Sequence, residues 1–106
     1  MIRHIVMWKL KEHAEGADRS ANLHKMKELL ESCVDLVPGM LGWTIAVTKP
    51  GLEATCDIVL DSTFATQAAL DAYQSHLKHV AMKPFIGAIR VERHCMDFEV
   101  PDAAPD

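Results

Sequence analysis

Met1-Ile-Arg-His-Ile-Val-Met-Trp-Lys-Leu10 is the stretch whose reading decides the fold. Ile2, His4, Val6, Trp8 and Leu10 alternate in it with Arg3, Ile5, Met7 and Lys9, which is the two-residue period of a β-strand. Apolar residues fall on both sides in the middle of the run, so the strand predicts a cover on each face. Downstream, a polar turn through Glu15-Gly16-Ala17 leads to Asp18 or Ser20 as helix cap. Leu23, Met26, Leu30, Val34 and Val37 then recur at three- and four-residue spacing until Pro38-Gly39 ends the helix.

Trp43–Thr48 reads as a second strand, Lys49–Thr55 as a turn, and Cys56–Thr63 as a third strand returning beside it. Thr66 caps a second helix carrying Ala69, Leu70, Tyr73, Leu77 and Val80, and the chain passes Pro84 and Gly87 into a last strand from about Ile89 to Val100. The order βαββαβ predicts an α+β, ferredoxin-like fold: a four-stranded antiparallel sheet with two helices on one face. The other face, with Ile5 and Met7, then needs a second sheet, which predicts a homodimer. Residues 1–100 are expected to form a single domain and 101–106 a loose tail without apolar residues to anchor it.

With 106 residues there is room for one core, and 49% hydrophobic with 25% charged residues is ordinary for a globular domain. The net charge of −4 and the absence of a Lys/Arg stripe argue against nucleic acid as a partner. No apolar run approaches the roughly 20 residues of a membrane span, and Arg3, His4 and Lys9 interrupt any signal-peptide core, so no membrane is implied and a cytoplasmic location is expected. Cys33, Cys56 and Cys95 are odd in number and widely spaced, which suggests reduced thiols packed as small hydrophobes. No set of histidines and acids has metal-ligand spacing, and no glycine-rich phosphate loop occurs; neither metal nor cofactor is expected.

Tyr73-Gln-Ser-His76-Leu-Lys-His79-Val adds two imidazoles and a phenol to the imidazole of His4. With Met1–Leu10, Phe64–Tyr73 and Met96–Val100, it makes the chain resemble the stress-responsive α/β-barrel (Dabb) family from Met1 to Val100. The resemblance implies a small dimeric β-barrel of ferredoxin-like topology, in a family that includes a few polyketide-type cyclases. It also implies a His at position 4 and a catalytic role for His79. Relatives often carry Pro just after the first His of this block, where this chain has Leu77.

Strand parity groups His4 with Val6 and Trp8 on the helix side, where His4 is either a satisfied core histidine or the polar end of an apolar pocket. Tyr73 lies on the apolar stripe of the second helix, and its hydroxyl needs a partner, with His4 the leading candidate. Asp57, sharing parity with Val59, either orients an imidazole or is the wet end of a strand. His76 lies near Tyr73 on the helical wheel. His79 lies about 240° round from Tyr73, so on an unbroken helix it points to water. His13, His24 and His94 read as surface residues.

Three functions compete. A homodimeric domain binds a small apolar molecule between sheet and helices, through His4, Val6, Trp8, Asp57, Val59 and His76. Alternatively, a cofactor-independent polyketide-type cyclase or lyase uses His79 and Tyr73 as its acid-base pair. A haem-binding or antibiotic-type monooxygenase rests on fold analogy alone.

Overall fold

The computed structural model of the chain describes residues 1–101. Its strands are β1 (Ile2–Leu10), β2 (His13–Ala14), β3 (Ala17–Asp18), β4 (Met40–Val47), β5 (Ile58–Phe64) and β6 (Arg90–Glu99). Its helices are α1 (Arg19–Glu31), α2 (Gln67–Ser75) and α3 (Leu77–Ile89). The main sheet is antiparallel in the order β4-β5-β1-β6. This is the ferredoxin-like arrangement, with a small β2-β3 hairpin added before α1. Glu15 and Gly16, both at positive φ, close that hairpin.

β1 is central, and its two faces differ as its alternation predicts. Ile2, His4, Val6, Trp8 and Leu10 are buried towards the helices, while Met7 and Lys9 are exposed on the other side. Opposite β1, the buried positions of β5 are Ile58, Leu60, Ser62 and Phe64. The core joins these to Met26, Leu30, Leu70 and Tyr73 from the helices. Buried Ser62 donates from its hydroxyl to the His4 carbonyl at 3.0 Å, tying the two strands beside the position that carries the imidazole.

Asp18 caps α1 by accepting from Ala21 N, and Thr66 caps α2 by accepting from Ala69 N. Gly39 has φ 91°, and a Cβ there would stand 2.9 Å from the Ala69 Cβ, so only glycine lets the β4 approach pass under α2.

Several sequence expectations need correction. α1 stops at Glu31 rather than running to Val37, because the chain turns at once through Ser32–Asp35, leaving Val34 half exposed. The second helix is two helices: His76, at φ −63° and ψ 138°, is extended and separates α2 from α3. The sheet therefore carries three helices, not two. Pro84 and Gly87 do not end the helix; α3 runs through them to Ile89, held by buried Met82, Ile86 and Ile89. Leu77 and Val80 are exposed, so they are no part of a continuous stripe. Cys33 is buried, but Cys95 is exposed on β6 and is not packed as a hydrophobe. Of the expected tail, Pro101 is exposed and the remainder lies outside the described residues.

Candidate active site

The break at His76 builds the site. In a continuous helix the Lys78 N–H would bond the Gln74 carbonyl, four residues back. Instead Lys78 N donates to His76 Nδ1 at 3.1 Å, and the released Gln74 carbonyl accepts from His79 Nδ1 at 2.9 Å. A carbonyl can only accept, so Nδ1 carries the proton and Nε2 of a neutral His79 keeps its lone pair. The same break swings His79 against Tyr73, their rings in an edge contact with centroids 4.6 Å apart. The departure from the family pattern at Leu77 does not prevent this: Leu77 is the exposed first residue of α3.

Tyr73 is held on three sides, by His79, by Trp43 (5.3 Å, edge) and by Phe64 (5.6 Å, tilted). Trp43 is itself fixed by donation from Nε1 to the Leu30 carbonyl at 3.1 Å. Among the described residues the Tyr73 hydroxyl has no hydrogen-bond partner, so the expected bond to His4 is not formed. His4 instead donates from Nδ1 to Asp97 Oδ1 on β6, its register partner across the sheet. Asp97 is a site residue that sequence reasoning missed; strand pairing, not spacing, brings it to His4. The arrangement leaves Nε2 as the ring nitrogen of His4 that is unengaged among the described residues.

One cavity of about 470 Å³ joins these groups between sheet and helices. His4, Val6, Trp8 and Leu60 line it from the sheet, and Tyr73, His79, Met82 and Ile86 from the helices. Trp8 thus forms part of the wall without filling the space. Its indole Nε1–H is buried and unpartnered among the described residues. Three cations that the sequence did not single out, Lys83, Arg90 and Arg93, also line this cavity. Lys83 lies four residues after His79 on α3, and Arg93 stands opposite Trp8 on β6.

Three expected site residues lie elsewhere. Val59 alternates onto the far face of β5 with Asp61, away from the cavity. Asp57 precedes β5 and accepts from Leu10 N at 2.7 Å; it fastens the strand ends and does not orient an imidazole. His76 is the cap of α3, its ring spent on Lys78 N. His13, His24 and His94 are exposed, as expected.

Burial sets the protonation of the pair. It holds the His79 imidazole below its ordinary pKa of 6.5, reinforced by nearby Lys83, His4 and Arg93 and opposed by the Gln74 carbonyl. Burial, and the Cys33 thiol in addition, pushes the Tyr73 phenol well above its ordinary 10. Near pH 7 the pair is a neutral base beside a protonated donor. Among the described residues no group of three or more His, Cys, Asp or Glu is placed to hold a metal ion, and no helix is long and apolar enough to cross a membrane.

The model of the stress-responsive A/B barrel domain matches residues 2–100. The chain belongs to this family. No curated protein matches the sequence significantly. Among solved structures, a dimeric protein of unknown function and ferredoxin-like fold from Bacteroides fragilis is 23% identical, with TM-score 0.75 over 93% of this chain and 95% of that one. A putative antibiotic biosynthesis monooxygenase from Nitrosomonas europaea is 16% identical, with TM-score 0.71 over 94% and 98%. The hydroxynitrile lyase from Passiflora edulis is 16% identical, with TM-score 0.72 over 98% and 96%. At these identities the likeness to each of them is one of fold.

Proposed function

We propose that this stress-responsive A/B barrel domain is a homodimeric, cofactor-independent acid-base catalyst of the cyclase or lyase type, acting on a small, largely apolar carbonyl compound. The observation that carries the reading is the single cavity joining His4, Tyr73 and His79, with Nε2 of His79 fixed as the acceptor nitrogen. His79 Nε2 removes a proton from carbon beside the carbonyl, the C–H electrons form the enolate C=C as the carbonyl π pair moves onto oxygen, and the Tyr73 hydroxyl donates to that developing oxyanion. In a cyclisation the enolate carbon then attacks a second carbonyl of the same molecule, and the His79 imidazolium returns its proton to the new alkoxide. His4, steadied by Asp97, is a second polar contact for the substrate. Val6 and Trp8 supply apolar wall.

The homodimer rests on the sheet face that the helices leave open. Ile5, Met7, Val59, Ala46 and Met96 share it by strand register, with Met7 42% and Met96 65% exposed. Such a patch on a small domain calls for a second copy. The description of the Bacteroides fragilis protein as dimeric supports this.

The test is a screen of β-polyketide-like thioesters with the wild-type chain and with His79→Ala. Turnover in the wild type that falls by about 10²–10⁴ in the variant, with folding intact, is the expected result. Turnover that survives in the variant removes His79 from the chemistry. Saturable binding of these compounds without turnover returns the cavity to a binding role.

A further inference from the structure

The cavity is chemically lopsided. Lys83, Arg90 and Arg93 line it, and no Asp or Glu does, in a chain whose net charge is −4. None of the three cations has an ion-pair partner among the described residues. The hydrogen bond of Arg93 goes to the Cys95 Sγ, at 3.3 Å, a weak acceptor. Asp97 lies on the same face of β6 as Arg93, but its carboxylate is engaged by His4. Trp8, 5% exposed and directly opposite Arg93 in the sheet, adds an indole N–H that finds no acceptor. A buried donor left without a partner is disfavoured, and an acceptor supplied by a ligand removes the penalty. Three cations and a free indole N–H thus share the wall with the apolar side chains of Val6, Leu60, Met82 and Ile86.

We infer that the ligand of this cavity is an amphipathic acid: an apolar body with one compact anionic group, a carboxylate or a phosphate, held by Lys83, Arg90 and Arg93 with the indole N–H of Trp8. The inference rests on the reading of this cavity as the ligand site and names its substrate class. The anion sits at the mouth, where the three cations are exposed, and the apolar body reaches inward to Tyr73 and His79. The rim charges also attract such a ligand from solution and reject cationic analogues.

Two fluorescent probes with the same aromatic body test the charge alone: 8-anilinonaphthalene-1-sulfonate and uncharged N-phenyl-1-naphthylamine. At low ionic strength the sulfonate is expected to bind about tenfold more tightly or better, and the preference to shrink as salt is added. Lys83→Gln and Arg93→Gln should each remove several-fold of it, and the double variant, which keeps only Arg90 and the indole N–H, most of it, with the Kd of the neutral probe unchanged. Lys83→Arg should retain it. Displacement of the sulfonate by 4-butylbenzoate and by 4-butylphenyl phosphate, against 4-butylbenzamide, tells a carboxylate from a phosphate ester, since the better competitor names the source. Equal affinity for both probes, a preference undiminished in the double variant, or an amide that competes as well as either acid overturns the inference. These readouts do not depend on turnover. In His79→Ala the charge preference should persist, so loss of catalysis leaves the anion site standing, and loss of the preference leaves the acid-base reading standing.

Discussion

At residue 79 burial competes with a hydrogen bond, and burial wins: the imidazole titrates below 6.5 despite the carbonyl that favours its charged form. In the unfolded chain the same residue titrates near its ordinary value. As pH falls through 6.5 the unfolded state takes up the proton first. The stability associated with neutral His79 is therefore complete above that pH and is lost on acidification towards its lower folded pKa. Urea unfolding of the wild type from pH 8 to pH 5 should show this loss, and His79→Gln should give a flatter profile, the difference isolating this residue. Tyr73→Phe separates structure from chemistry. Its hydroxyl bonds nothing among the described residues, so unfolding free energy should change by less than the roughly 0.5–1.5 kcal/mol of a lost hydrogen bond. Turnover on any substrate found should nevertheless drop by about 10²–10³, the usual effect of deleting an oxyanion donor. His4 and Tyr73 were legible in the sequence because an imidazole and a phenol in core segments stand out, whereas His79 was marked by the family resemblance, its helical position pointing it to water until the break at His76 turns it inward. Lys83, Arg90 and Arg93 were not, because charged residues on separate elements look like solvated surface until the β6 register puts Arg93 beside Trp8.

Among the elements, the caps and strands were the most readable. Thr66 and Asp18 behave as their side chains dictate, and the β1 alternation gives both faces correctly. The division of the second helix was not readable, because Leu77 and Val80 continue the three- and four-residue spacing of Leu70 and Tyr73 although both are exposed. Periodicity cannot distinguish an apolar residue that packs from one that does not. The expected strand Cys56–Thr63 began two residues early for a related reason: Asp57 shares the alternation of Val59, yet it is occupied in fastening Leu10. The observed break makes a proline test direct. Leu77 is the first residue of α3, where a missing N–H is tolerated, and His76 before it already has the extended backbone that proline demands. Leu77→Pro should therefore stabilise the protein by about 0.4–1 kcal/mol in chemical denaturation and leave His79 in place. A strong destabilisation would mean that the boundary lies elsewhere.

For the molecule as a whole, the decisive property is that one side of the sheet holds the helices and cavity while, among the described residues, the other holds only side chains. Arg3 and Asp61 form a two-pronged ion pair on that open side, at 2.9 and 2.6 Å, and Arg3 holds the Asp61 carboxyl below its ordinary range. Met7 and Ile5 flank it on β1. Met7→Asp introduces an unpaired carboxylate into the apolar part of this face. It should convert the proposed dimer into monomer, or lower its affinity by several orders of magnitude, as sedimentation equilibrium at micromolar concentration would show. A wild-type chain that sediments as a monomer would refute the dimer outright.

β1 turns His4, Val6 and Trp8 to the cavity and Ile5 and Met7 to the open face at intervening positions, within one strand. The proposed ligand and the proposed partner copy would therefore press on opposite sides of the same few peptide units, and any coupling between the two equilibria is reciprocal. Whatever factor filling the cavity applies to the dissociation constant of the dimer, dimerisation must apply to the dissociation constant of the ligand. If both proposals hold, a small molecule's affinity for this domain is a property of protein concentration as well as of the pocket, and a titration on dilute chain measures a different constant from one on concentrated chain wherever that factor departs from one.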